Sequence, residues 1–226
     1  ELARELWVHE DAMRLFGTEL PLRMAVGRLE TGGLWVHSPT ALYPALQDQV
    51  LALGPVRYLV AASNGHNLWL REWVAAFPEA QVCVSNGIPK KCGLGVYQSL
   101  EGLLPWGEEI GKQAVLGAPF FDETVFLHRP SRSLIVTDLV QNHSGVASSG
   151  LEAWIKRLVL KPVGFRGICL APPIRRGWLV KDRDKLLESL AAIRRWDFER
   201  IVVTHGAIIE ANAPQVFAEL AGQLRG

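Results

Sequence analysis

Cysteine is scarce in this chain. Cys83, Cys92 and Cys169 are the only three in 226 residues, they form no Cys-x-x-Cys pair, and an odd number leaves one unpaired in any disulfide scheme. That excludes a disulfide framework and points to a reducing compartment, here read as the cytoplasm. The three thiols are expected as buried small hydrophobes. Long apolar runs are missing too: no stretch reaches the ~18 consecutive apolar residues of a membrane helix, so no membrane association is expected. An excess of one charge is also absent, since 24 Lys+Arg against 23 Asp+Glu leaves +1. A nucleic-acid binder carries a larger surplus or a basic patch, and no such partner is expected. Residues 1–7 do not read as a signal peptide, although a start at Glu1 instead of methionine is what removal of an upstream segment would leave.

What is present is the composition of a packed globule: 49% hydrophobic and 21% charged residues, with 21 glycines and 13 prolines spread without a period. The length suits a single domain over residues 1–226. Short apolar runs at Met24–Leu29 and Leu34–His37 flank Thr31-Gly32-Gly33 and predict a hairpin. Ser38-Pro39-Thr40 is a helix-start signal, followed by Leu42, Leu46, Val50 and Leu53 at helical spacing up to Gly54-Pro55. Val56–Ala62 reads as a buried strand leading into a helix stopped by Pro78, and Ala80–Ser85 as another strand. Residues 86–118 read as a long irregular excursion. Thr124–His128 and Ser133–Leu139 predict paired strands, with His128 on an exposed face and Arg129 and Arg132 at a solvated tip. Beyond a polar loop over 141–150, helices are expected over Leu151–Leu160, Asp182–Trp196 and Asn212–Leu224, and strands over Gly167–Ala171 and Ile201–Val203.

Several familiar motifs fail. Gly107 to Gln113 has its glycines too close for a phosphate loop, and Gln113 stands where a Ser or Thr would hold magnesium. Gly93-Leu94-Gly95 lacks the third glycine of a dinucleotide fingerprint. There is no Gly-x-Ser-x-Gly elbow, and His9-Glu10 has no second histidine. What remains is a set of polar residues at strand ends: His66 after strand 56–62, Asp138 closing strand 133–137, and His205 closing strand 201–203. Strand ends are where sites gather in layered α/β architectures. Two imidazoles and a carboxylate suit zinc or iron with positions left open for water. Each has a simpler structural role open to it, a helix start for His66 and a turn cap for Asp138. An apolar strand ending in His205-Gly206 is the most specific of the three features.

The order hairpin, Asn64-Gly65-His66 at a strand-to-helix turn, Leu134-Ile135-Val136-Thr137-Asp138, then Ile201-Val202-Val203-Thr204-His205-Gly206 resembles the metallo-β-lactamase-like superfamily along nearly the whole chain. Residues 57–70 and 126–139 resemble one branch of it, known as a domain of unknown function. The resemblance implies an α/β fold, a four-layer αββα sandwich, and hydrolases that use one or two metal ions. It also exposes losses. In the motif His-x-His-x-Asp-His the last histidine aligns with His66, but Ala61, Ser63 and Gly65 occupy the other ligand positions, and Leu116–Phe121 contains no histidine.

The resemblance therefore implies at most one divalent cation on His66, Asp138 and His205, with zinc preferred over iron or manganese. A metal-bound water would attack a small ester, thioester, lactone or phosphoester. The aspartate that would accept a proton is gone, leaving Asn64, Asn67 and His143 as candidates, Asn64 foremost. The alternative is a catalytically inactive domain that keeps the fold and binds a small molecule or a protein in the former cleft. Oligomeric state has no signal in the sequence.

Overall fold

A computed structural model describes residues 1–15, 18–144, 162 and 164–224. Two sheets carry the architecture. The first joins β1 (Leu6–Leu15), β2 (Thr18–Arg28), β3 (Leu34–His37), β4 (Val56–Ala61), β5 (Gln81–Val84) and β6 (Gln98–Ser99) in that order. The β1–β2–β3 portion is antiparallel, and β3 to β6 run parallel. The second sheet is built from β7 (Ile110–Ala114), β8 (Thr124–His128), β9 (Ser133–Val136) and β12 (Arg200–Val203), in the order β12-β9-β8-β7. A two-stranded ribbon pairs β10 (Val140–Asn142) with β11 (Ile168–Leu170). Helices α1 (Pro44–Leu53), α2 (Leu70–Ala76) and α3 (Ile88–Cys92) belong to the first half of the chain. Helices α4 (Pro172–Arg175), α5 (Arg183–Ile193) and α6 (Ala213–Gly222) belong to the second.

The four layers follow from side-chain alternation. Successive strand residues point to opposite faces, so a strand buried on both sides feeds two cores at once. In β4, Leu59 and Ala61 pack with Leu46, Val50, Leu70 and Trp73 of the outer helices, while Val60 faces the opposite sheet. In β9, Leu134 and Val136 meet Leu186, Ile193 and Phe217 on the other outer side, while Ile135 faces inward. Val202 of β12 and Phe126 of β8 also turn inward. The inter-sheet layer is closed by aromatic rings, with Trp35 edge-on to Phe126 and Trp106 at centroid distances of 5.1 and 6.0 Å. This is the α/β four-layer sandwich expected from the sequence.

Several boundaries moved. Strand β1 was not anticipated, because Leu6 to Leu15 mixes charged with apolar residues as an edge strand does. The first helix begins at Pro44 rather than at Ser38-Pro39-Thr40. Ser38 takes φ 51°, and the Thr40 carbonyl accepts the Trp73 indole N–H at 2.8 Å. The excursion over 86–118 contains α3, β6 and β7, elements too short for periodicity to register. Part of the expected loop 141–150 is the ribbon strand β10, and the helix expected at Leu151–Leu160 lies outside the described residues. No helix among the described residues is long and apolar enough to cross a membrane.

His128 was expected on an exposed strand and is fully buried. A buried ring needs a partner, and its Nδ1 meets Ser131 Oγ at 2.7 Å. Arg132 is half-exposed, as a tip residue should be, but it forms ion pairs with Asp197 and Glu199. All three cysteines are free and buried.

Burial pushes His128 down to about 4 and His37 to about 3 from the ordinary 6.5, with the nearby His66 adding to the effect at His37. The unfolded chain takes up these protons near 6.5 and the folded chain only near 3 to 4. Between those values the unfolded state binds more protons, so stability is complete above about pH 6.5 and falls as pH drops toward 4. Thermal melts followed by circular dichroism should show a lower Tm at pH 5 than at pH 7. The difference should shrink in His128→Gln; an unchanged difference would remove His128 as a cause.

Candidate metal centre

Strand geometry brings the three polar residues together. Strands β9 and β12 are parallel neighbours, with Val136 opposite Val203, so the turns that follow them emerge at the same sheet edge. Those turns carry Asp138 and His205. Strand β4 of the other sheet delivers His66 to the same edge, where Thr124 N–H donates to the Ala62 carbonyl at 2.8 Å and Asn64 N–H to the Phe121 carbonyl at 2.9 Å. One donor atom from each of His66, Asp138 and His205 lies within 4.8 Å of the others. His66 Nε2 stands 3.3 Å from Asp138 Oδ2, and His205 Nε2 3.5 Å from Asp138 Oδ1. The imidazole centroids are 5.0 Å apart.

Each donor is held by its surroundings. His205 Nδ1 meets the Pro21 carbonyl of β2 at 2.8 Å. A carbonyl only accepts, so the Nδ1 carries the hydrogen and Nε2 faces Asp138. The loop after His205 turns tightly: Gly206 has φ 93°, and a Cβ there would collide with the Asn142 carbonyl. That is the physical reason for the His-Gly ending. Ser63 Oγ donates to Asp138 Oδ2 at 3.1 Å. Burial opposes charge on Asp138, but His66 and His205 outweigh it and hold its carboxyl well below the ordinary carboxylate range.

A further carboxylate sets the Asp138 turn and was missed in the sequence. Glu123 is 3% exposed. Its Oε1 accepts the Thr137 N–H at 2.7 Å, and its Oε2 accepts those of Asp138 and Leu139 at 3.1 and 2.7 Å. Burial, with the Asp138 charge beside it, pushes this carboxyl up to about 8, and the N–H donors pull the other way. Its only signal in the sequence was an acid directly before an apolar strand, which a solvated loop also produces.

The other candidates sit elsewhere. The Asn64 side-chain amide donates to the Phe120 carbonyl at 3.0 Å, so it holds the loop rather than meeting the three donors, and the Asn64 backbone carbonyl accepts from Lys91 Nζ at 2.9 Å. The Asn67 amide bonds the carbonyls of Ser63 and Asn64. His143 Nε2 meets Gln141 Oε1 at 2.9 Å. At Gly65, which the resemblance aligns with the missing aspartate, a Cβ would come within 3.1 Å of Asp138 Oδ2.

The donor set fits a divalent cation. Zinc ligands at ~2.0–2.1 Å in a tetrahedron stand about 3.4 Å from one another; His66 and His205 each lie near that spacing from a different oxygen of Asp138, at 3.3 and 3.5 Å, and one donor atom from each residue falls within 4.8 Å of the other two. The His205–Pro21 bond is the outer contact that a metal-bound imidazole needs.

Two packed sheets, helices on both outer faces and a His–Asp–His cluster at their common edge define a metallo-β-lactamase-like fold. Solved structures agree. A metallo-β-lactamase from Pontibacter korlensis has a TM-score of 0.66 at 12% identity, covering 100% of this chain and 97% of that one. One from Hirschia baltica has 0.62 at 10%, covering 99% and 95%. The flavodiiron protein from Giardia intestinalis has 0.68 at 15%, covering 100% of this chain and 59% of its own. At these identities the likeness establishes the fold. No curated protein sequence matches the chain. Within the fold class, the chain belongs to the family described as domain of unknown function DUF4336, whose model matches residues 3–147 and so includes His66 and Asp138.

Replacing Glu123 by alanine strands three N–H groups at the Asp138 turn. Urea unfolding should show a loss of about 3 kcal/mol, with a smaller loss in Glu123→Gln, which keeps an acceptor oxygen. Equal, negligible losses in both would mean that water replaces the carboxylate.

Proposed function

We propose that the chain is a metal-dependent hydrolase that works with one divalent cation on His66, Asp138 and His205, zinc suiting the ligand set best and iron or manganese sharing its chemistry. The observation that carries this is the orientation of His205, whose Nδ1 is anchored to Pro21 so that Nε2 faces Asp138 and His66. When bound, the cation supplies Lewis acidity and lowers the pKa of a coordinated water toward ~7. The chain's own residues supply the rest. Asp138 stays ionised at neutral pH and offers an anionic oxygen between two imidazoles. Ser63 and Glu123 fix its side chain and its backbone. Substrates of this reading are small esters, thioesters, lactones or phosphoesters.

A second reading, a catalytically inactive domain whose former cleft meets a protein rather than a small molecule, draws on a separate observation. Arg23, Thr40, Gly65, His66, Trp69 and Thr204 border a cavity of about 10 Å³ beside the cluster. That is space for about one water molecule, against the ~300 Å³ at which small-molecule pockets begin. In this reading the same three residues persist as a closely packed His–Asp–His cluster.

Metal analysis separates the two. Protein purified without chelator or affinity nickel should contain about one zinc, iron or manganese per chain. Both His66→Ala and His205→Ala should lose it while their circular dichroism is retained, and any ester hydrolysis should vanish with chelator. A metal-free protein after incubation with all three cations would overturn the hydrolase reading. In Gly65→Asp a second carboxylate crowds Asp138. Without metal it should destabilise by about 1–2 kcal/mol, and added zinc should raise its Tm more than that of the parent; equal zinc responses would show that the new carboxylate does not reach the cation.

A further inference from the structure

A second cavity lies away from the metal cluster, against the outer face of the first sheet, where it has no part in the proposed hydrolysis. Its volume is about 430 Å³, within the ~300–1,000 Å³ of small-molecule sites. Val74 and Pro78, in and just after α2, Val82 of β5, and Leu94 and Tyr97 of the loop before β6 make its walls apolar. Tyr97 remains 47% exposed and its neighbour Val96 89% exposed, apolar surface that water covers at a free-energy cost.

Charge at this cavity has one sign. Arg71 is its only charged lining residue, and no aspartate or glutamate borders it. Among the described residues Arg71 has no hydrogen bond or ion pair, unlike Arg23, Arg28 and Arg132, each held by a carboxylate. The neighbouring Gln81, Gln98 and Cys92 are already engaged. The Gln81 amide donates to the Gln98 side chain, whose own amide donates to the Leu103 carbonyl. The Cys92 thiol lies 3.6 Å from Asn67 Oδ1. Arg71 and the Tyr97 hydroxyl are therefore open donors at a mainly apolar cavity, Arg71 the charged one, and an anionic head on an apolar body is the chemistry that complements them.

We propose that this cavity binds a small apolar monocarboxylate, its chain against Val74, Val82 and Leu94 and its carboxylate on Arg71. Calorimetric titration with octanoate, and with 1-octanol as the uncharged control, tests this on the full chain. Octanoate should bind saturably at one per chain. Arg71→Gln, a change at an exposed position, should weaken octanoate about fivefold and leave 1-octanol unaffected. Val96→Glu, which sets a like charge at the mouth, should also weaken octanoate, while His205→Ala should leave it unchanged. Absence of saturable binding, or an Arg71→Gln variant that binds octanoate like the parent, would overturn the proposal. Loss of octanoate binding in His205→Ala would place the carboxylate at the metal cluster and overturn it equally. Because His205→Ala is expected to retain octanoate but lose metal, failure here and failure of the hydrolase reading are distinguishable.

Discussion

The central strands of both sheets are buried on both faces, and the position of everything else follows from that constraint. A strand with two apolar faces cannot border water, so β4 and β9 each need a helical layer outside and the partner sheet inside. Polar groups enter such a body most readily where strands end. The edge at which β4, β9 and β12 stop together is one such place, and His66, Asp138 and His205 occupy it.

The same dryness explains the carboxylate beneath the cluster. The turn after β9 presents the N–H groups of Thr137, Asp138 and Leu139 to a region without solvent, and an unpaired buried N–H is costly. Glu123, one residue before β8, answers all three. Its position follows from sheet pairing, since β8 lies against β9 and brings residues 14 to 16 apart in sequence into contact. Arg23 does a related task from the other sheet, donating to the Val203 carbonyl just before His205. The cluster is thus held from β2 and from the residue before β8 as well as by Ser63 of its own loop.

The two cavities differ in the way their surroundings differ. The one beside His66 is narrow, with a nearly buried arginine whose charge Glu10 answers. The one under α2 is wide and mainly apolar, with an arginine that no carboxylate among the described residues answers. Charge left open at an apolar cavity and charge closed off beside a histidine–aspartate cluster are opposite designs on one scaffold.

The sequence by itself showed most of the long elements and the three candidate donors, and its resemblance to the metallo-β-lactamase-like pattern implied the layering. Period-two and helical apolar spacing register wherever an element is long and buried, which is why β4, β8, β9, α5 and α6 were legible. The chain order of strand ends, together with the metallo-β-lactamase-like pattern, singled out His66, Asp138 and His205. Local sequence could not fix β1, an edge strand of mixed polarity, nor the short elements within 86–118. It also misplaced His128, because one histidine between Leu127 and Arg129 reads alike on a buried and an exposed strand. Tertiary structure alone decided that Asn64 turns to Phe120, that Glu123 reaches three backbone N–H groups, and that Pro21 orients His205 across 184 residues of chain. Those contacts join segments distant in sequence, and the hydrogen bonds that specify them exist only once the sheets have paired.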